Sequence, residues 1–457
     1  MPLGEALHQK PGGSIPGRAI VGPGEALPGM ERDEAEPARQ GQDGTGQGLL
    51  WQALARANMM EAWKRVKSNG GSAGVDGLTI TETQDYLKEH WPRIRAGLLD
   101  GSYRPKPVRR VQIPKPDGGV RQLGIPTVTD RLIQQALLQV LQPLIDPSFS
   151  EHSYGFRPGR RAHEAVLAAQ RYVQEGRRIV VDVDLSQFFD RVNHDILMDR
   201  LSRRIGDKAV LRLVRRYLEA GILDGGGNVE RHEGTPQGGP LSPLMANVLL
   251  DEVDRELEKR GHCFARYADD CNVYVRSRRA GERVLAGLRR LYADLKLQVN
   301  ESKTAVASAF GRKFLGFSLW VAPGGVVKRA VAKKARQTYK QRIRSLTRRS
   351  GGQSLEQVSG KLRAYVLGWK GYFQLAQTPK IFAELDEWLR HRLRALQLKQ
   401  WKQGSTIYRE MRALGANESV ARKVAANSRR WWRNSRFALN GILTINTFNR
   451  LGVPKLA

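Results

Sequence analysis

The chain has 457 residues, too many for one ordinary core, and its 40% hydrophobic and 26% charged content suits a folded protein of two to four domains. Its 76 Lys and Arg against 45 Asp and Glu leave a formal charge of +31 and a pI near 10.5, an excess that repels itself in a compact state and points to nucleic acid as partner. No run of about 18 apolar residues could span a membrane, no apolar core of a signal peptide opens the chain, and two cysteines, Cys263 and Cys271, exclude the usual zinc site; a reduced, intracellular protein is expected.

Residues 1–48 are rich in Gly, Pro, Glu and Gln, so they bury too little apolar surface to offset their ordering entropy and are expected to be disordered. Helical periodicity starts at Leu49-Leu50-Trp51 and runs through Val66 until Ser68-Asn69-Gly70-Gly71 breaks it. A strand from Val108 to Ile113, a turn at Pro116-Asp117-Gly118-Gly119 and a strand from Val120 to Gly124 read as a hairpin. Helical pattern follows from Asp130 to Leu144. The run Arg178 to Asp184 reads as a buried strand ending in a carboxylate, then helices cover Asn193–Arg204 and Lys208–Ala220. Asp224 to Asn228 reads as a tight glycine-rich turn, and a helix runs from after Pro240 to Arg260. Phe264–Tyr267 and Cys271–Val275 read as strands joined by Ala268-Asp269-Asp270. Helices dominate beyond Lys328, where residues 328–457 hold 29 Lys and Arg against 6 Asp and Glu, the main grip on a phosphate backbone.

Carboxylates placed together repel, and the arrangement persists only if something compensates. Divalent ions do so, and hard oxygen ligands suit Mg²⁺. If the strand ending in Asp184 neighbours the hairpin carrying Asp269 and Asp270, three carboxylates converge, the arrangement for two metals about 4 Å apart in phosphoryl transfer. Taken alone, Tyr-x-Asp-Asp is more often a solvated acidic turn than a catalytic pair.

Six motifs in order resemble the reverse transcriptases encoded by bacterial group II introns, over residues of about 50 to 400. Ile113-Pro114-Lys115-Pro116 with Arg121-Gln122-Leu123-Gly124-Ile125-Pro126 and His152-Ser153-Tyr154-Gly155-Phe156-Arg157-Pro158-Gly159-Arg160 resemble the two fingers motifs. Asp182 to Asp190 resembles the motif of the first catalytic aspartate, and Gly234 to Pro243 the nucleotide-pocket motif. Tyr267-Ala268-Asp269-Asp270 matches the catalytic pair, and Phe314-Leu315-Gly316-Phe317 the last palm motif. The resemblance implies an RNA-directed DNA polymerase in which Asp184, Asp269 and Asp270 hold two Mg²⁺ ions. Lys115 and Arg121 would meet the dNTP triphosphate, or else are fingers-surface charges. Phe189 matches an aromatic that collides with a ribose 2′-OH, its rival role being core, which is left to Phe188. Gln237 matches a pocket-lining residue or holds its turn, and Lys303 matches a position near the active site.

The implied fold is an α+β right hand: fingers (49–175), an antiparallel-sheet palm flanked by helices on one face (176–327), a helical thumb or maturase domain (328–402), and a basic C-terminal helical nucleic-acid-binding region (403–457). In the thumb, Leu362, Tyr365, Val366, Gly368, Trp369, Gly371, Tyr372 and Phe373 resemble the family's signature helix, and their spacing reads as core. Ser428 to Phe437 interleaves cations with aromatics, which suits base stacking and backbone contact or a small core with a basic rim. Implied partners are group II intron RNA, an RNA template with DNA primer, target DNA and dNTPs, with no membrane, in a cytoplasmic ribonucleoprotein or at the nucleoid. The chain stops before the Cys- and His-containing nuclease module of many members, so priming from existing DNA ends or forks is expected. Two rivals are a non-catalytic splicing chaperone and a reverse transcriptase domesticated for repair or defence.

Overall fold

The structure, a computed structural model, describes residues 48–114, 119–224, 227–229, 231–436 and 438–457. Apart from Gly48, the expected disordered extension lies outside them, as do Lys115 and the turn residues Pro116 to Gly118. Among the described residues the strands are β1 (Val108–Pro114), β2 (Val120–Ile125), β3 (Ile179–Val183), β4 (Ile222–Asp224), β5 (Gly227–Val229), β6 (Cys263–Tyr267), β7 (Asp270–Val275), β8 (Ala305–Ser308), β9 (Lys313–Phe314), β10 (Phe317–Val321) and β11 (Val327–Val331). Helices supply most of the rest, and the architecture is α+β followed by a helical region. No described helix is long and apolar enough to cross a membrane.

Two compact units divide the described residues. The first takes those up to Tyr172 together with Ile179–Ala307. It holds one sheet in the order β2-β1-β4-β5 and another in the order β6-β7-β3-β8. In the first sheet β1 and β2 form the expected hairpin, with Arg109 opposite Ile125 and Pro114 opposite Val120. In the second, β6, β7 and β3 are antiparallel neighbours. Side chains of a strand alternate between faces, so Phe264, Arg266, Cys271, Val273, Val275, Val181 and Val183 share one face. Helices Ser242–Lys259 and Arg278–Asp294 cover that face, joining a core that includes Leu132, Leu249, Val253 and Leu288. Gly281 permits the close approach of the second helix, since a Cβ there would come within 2.6 Å of Val306 Cγ1. Helix Lys208–Glu219 starts at Asp207, whose Oδ1 accepts from the N–H groups of Ala209 and Val210 and whose Oδ2 accepts from Leu50 N at 3.2 Å.

The second unit takes Val173–Arg178 and Ser308–Ala457. A sheet in the order β11-β10-β9 precedes helices Lys333–Leu346, Leu355–Phe373 and Pro379–Trp401 and several shorter ones. Helix Leu355–Phe373 begins at a reciprocal capping box between Ser354 and Gln357. It buries Leu355, Val358, Leu362, Val366, Trp369 and Phe373, so the aromatic stripe is core as its spacing indicates. The C-terminal segment returns to helix Pro379–Trp401. There Asp386 Oδ2 accepts from Leu456 N and Ala457 N at 2.9 and 3.0 Å, and Arg390, paired with Asp386, donates to the Pro454 carbonyl.

Three helices escape the periodicity reading: Ile80–Leu99, Ala162–Gln174 and Arg278–Asp294. The first carries Pro92 and a mostly polar surface, with only Thr83, Leu87, Trp91 and Leu98 buried. Phe314 to Phe317, which resembles the last palm motif, clusters with the second compact unit. It packs on the thumb helix: Phe317 stacks 5.1 Å from Phe373, and Tyr372 Oη donates to the Leu315 carbonyl at 2.9 Å.

Candidate active site and nucleic-acid interface

The strand pairing answers the question that the sequence left conditional. Val183 lies opposite Cys271 on adjacent strands, so Asp184 and Asp270 follow as the next facing positions. Neighbouring strands run about 4.8 Å apart. By alternation both carboxylates lie on the face away from the two covering helices. Tyr267 pairs with Asp270 and closes a hairpin whose loop is Ala268-Asp269. Ala268 has φ of +58°, a conformation that two-residue hairpin loops normally give to Gly, Asn or Asp. Strain of this kind persists only where the surroundings fix it.

Asp184 is pinned through its backbone. Its N–H donates to Thr304 Oγ1 at 3.1 Å and its carbonyl accepts from Asn300 N at 2.8 Å. Lys303, from the same loop, brings its Nζ to 3.8 Å from Asp184 Oδ1. The fold thus brings Asp184, Asp270 and Lys303 together, and Thr304, which the sequence reading missed, is what holds Asp184 in place. A hydroxyl at the end of the Asn300 to Lys303 run was its only advance signal.

Phe189 and Gln237 form a second group. The Phe189 carbonyl accepts from Thr235 N at 2.7 Å, and the Gln237 carbonyl accepts from Gly124 N of β2 at 3.1 Å. Gly234 and Gly238 have φ of +86° and +137°, and a Cβ at either would come within 2.8 Å of a backbone oxygen, of Asp190 and Gly124 respectively. His194 Nε2 donates to the Gly234 carbonyl at 2.7 Å, and burial lowers the pKa of that imidazole. Phe188 is buried and Phe189 half-buried, with the rings edge to face at 5.1 Å. The division follows from a single 3₁₀ turn over Phe188–Asp190. Arg121 of β2 pairs with Ile113 of β1, and its side chain, like all of Lys115, lies outside the described residues.

Mg²⁺ fits this donor set by chemistry: carboxylate oxygens on facing strand ends, with a lysine ammonium already drawn to one of them. Among the described residues no three His, Cys, Asp or Glu groups close around one point as a finished metal cage. The cysteines supply nothing here. Both are free, and burial pushes the Cys271 thiol up to about 12.

In the second unit the cations crowd aromatic rings. Lys340, Arg344 and Arg392 each lie 5.5–5.6 Å from the centre of the Trp388 indole, and Arg349 and Lys399 lie 5.1 and 4.5 Å from that of Trp431. None of the five makes an ion pair with a carboxylate among the described residues. Burial, with Arg344 and Arg349 nearby, lowers the pKa of Arg392, whose guanidinium donates to Thr347 Oγ1 at 2.8 Å. Within the cation-rich run Ser428 to Phe437, Ser435 is buried, Trp432 is exposed and stacks on His391 at 3.6 Å, and Phe437 lies outside the described residues.

Comparison with known proteins finds two families along the chain. The family described as reverse transcriptase (RNA-dependent DNA polymerase) matches residues 113–319, and the group II intron, maturase-specific domain matches residues 336–415. Protein YkfC of Escherichia coli (strain K12) is 34% identical over 286 residues, 54% of this chain and 75% of that protein. Group II intron-encoded protein LtrA of Lactococcus lactis subsp. cremoris is 37% identical over 195 residues, 42% of this chain. That match covers 32% of LtrA, so the chain spans about a third of that relative's length. Among solved structures, a chain of a partial Cas6-RT-Cas1–Cas2 complex matches at 25% identity and a TM-score of 0.37, over 54% of this chain and 43% of that one.

Proposed function

Since the chain belongs to the reverse transcriptases of group II intron type, a class of RNA-directed DNA polymerases, we propose that it extends a DNA primer on an RNA template at Asp184, Asp269 and Asp270. We propose further that its helical unit grips intron RNA, assisting splicing and mobility within a cytoplasmic ribonucleoprotein. The observation that carries the polymerase reading is the register that sets Asp184 beside Asp270, on the face of the palm sheet opposite helices Ser242–Lys259 and Arg278–Asp294.

Two Mg²⁺ ions bound by these carboxylates would supply activation of the primer 3′-oxygen and neutralisation of charge on the departing pyrophosphate. The remaining work belongs to the chain. Phosphoryl transfer is mostly positioning and electrostatics, and Thr304 and Asn300 hold Asp184 at the strand end. Lys303 adds a cation within reach of the triphosphate, and Lys115 and Arg121 would add two more. Half-buried Phe189, seated on the Phe188 core, would bar a ribose 2′-OH, while Gln237 would line the base pocket.

For the helical unit, five cations around two indoles with no carboxylate partner among the described residues support a polyanionic ligand. A group II intron RNA is the polyanion that the maturase-specific match favours, and target DNA would meet the same chemistry. The test is dNTP incorporation on a primed RNA template with Mg²⁺, comparing the natural chain with Asp269→Ala. The substitution is expected to abolish synthesis and leave RNA binding intact. Residual polymerisation in the variant would overturn the carboxylate assignment, and tight RNA binding without synthesis in either protein would move the reading to a splicing chaperone.

A further inference from the structure

Arg266 stands two residues before the strained Ala268, in a strand whose other inward side chain is Phe264. It is one of the largest fully buried side chains in the molecule. A guanidinium has five N–H donors, and here all five are taken. Nε donates to both oxygens of Asp254 at 2.8 and 2.9 Å, and Nη2 donates to Asp254 Oδ2 at 2.6 Å and Ser153 Oγ at 2.7 Å. Nη1 donates to Asn247 Oδ1 at 2.9 Å and, bending back onto its own strand end, to the Ala268 carbonyl at 2.8 Å.

The last of these bonds fixes the peptide that leads into Asp269. The preceding peptide, Tyr267–Ala268, is walled by Gly155, where a Cβ would lie 2.2 Å from Ala268 N. Residues 152–155 run alongside β6: Arg266 N donates to the His152 carbonyl and Tyr154 N to the Arg266 carbonyl, both at 2.9 Å. Asn247 joins the two supports, since its Nδ2 donates to the Gly155 carbonyl at 2.9 Å while its Oδ1 receives Arg266.

A buried ion pair is weak support for stability, because apolar residues of similar volume often serve as well. What arginine supplies that lysine or an apolar side chain cannot is a planar fork of fixed directions. We propose that Arg266, locked by Asp254, Asn247 and Ser153, is a positioning residue that sets the Ala268 peptide and through it the aim of the Asp269 and Asp270 carboxylates. The segment His152 to Gly155 is the wall against which that setting is made. The inference rests on the carboxylate assignment proposed above.

The test compares Arg266→Lys, Ser153→Ala and Tyr103→Phe. The last removes a half-buried hydrogen bond to Asp130 in the same unit and serves as a control for lost stability alone. Partners behind metal ligands typically matter by about 10- to 100-fold in affinity or activity. Arg266→Lys is expected to lower kcat by about that factor and raise the Mg²⁺ concentration for half-maximal synthesis, with primer–template Kd and dNTP KM little changed. Ser153→Ala, which uncovers no charge, is expected to move the same two quantities less. Tyr103→Phe is expected to melt earlier with both unchanged. A wild-type kcat and Mg²⁺ midpoint in Arg266→Lys would overturn the inference, and so would a loss that merely tracks melting temperature across all three variants. Synthesis surviving in Asp269→Ala would sink the carboxylate assignment itself, whereas an inactive Asp269→Ala beside a normal Arg266→Lys would sink only the role of Arg266.

Discussion

Two groups of cations, one in each compact unit, are treated in opposite ways. In the first, the most deeply buried guanidinium, Arg266, has an acid, an amide, a hydroxyl and a carbonyl around it, and Arg157 is likewise held by Asp146 and by the Ser150 and Ser153 carbonyls. In the second, Lys340, Arg344, Arg349, Arg392 and Lys399 gather on two indoles without a carboxylate partner among the described residues. Low dielectric makes an uncompensated buried charge costly, so inward cations must be matched by the chain itself. Cations at the surface face high dielectric and can stay unmatched until a polyanion arrives. Placement of the charge therefore separates internal positioning from external recognition.

The strongest way to break this comparison is to leave the inward charge unmatched. Arg266→Met strands Asp254 in the core and is expected to cost about 3–5 kcal/mol of folding stability, measurable by urea unfolding. Adding Asp254→Leu should recover most of that stability but not polymerisation. Recovery of both would reduce the pair to a packing element. Complete burial already raises the pKa of the Asp254 carboxyl against the pull of Arg266, so the single variant is expected to hold it protonated.

A middle-sized effect is expected on the outward side. Replacing Lys340, Arg344 and Arg349 together by Gln should leave melting unchanged and weaken binding to structured RNA. The slope of log K against log salt should become shallower by about 2–3, at roughly 0.7–0.9 for each phosphate that is no longer neutralised. An unchanged slope would show that these cations meet no phosphate.

The smallest effect sharpens the comparison through pH. Burial lowers the pKa values of His152, His194 and His262 in the first unit and of His391 in the second. A histidine with a folded pKa below its unfolded value, about 6.5, binds more protons when unfolded. Its contribution is complete above that value and is lost as pH falls through the folded one. Melting temperature should therefore fall between about pH 7 and pH 5, and His194→Gln should flatten part of the drop. A rise on acidification would contradict the assignment.

Much of this was legible in the sequence. Alternating apolar residues around Ala268-Asp269-Asp270 marked the palm hairpin, and the Pro116-Asp117-Gly118-Gly119 turn marked the fingers hairpin. Helix Arg278–Asp294 was missed although Leu285, Leu288 and Tyr292 carry its inward spacing. Arg266 also left a signal, a cation at an inward position of an apolar strand. Its partner Asp254 lies on a helix whose acidic residues, Asp251, Asp254 and Glu258, recur at helical spacing on the side that also carries Leu250 and Leu257.

By itself, the sequence determined what depends on neighbours along the chain: the strands and their turns, the motifs and their order, and the strongly basic C-terminal third. The register that sets Asp184 beside Asp270 was decided only by the tertiary structure, as were the burial of Arg266 against Ser153 and Asp254 and the packing of Phe317 on Phe373. The reason is physical. Each joins residues that stand between 12 and 113 positions apart in the chain, and such a pairing forms only when loop closure is offset by burial that many other residues share.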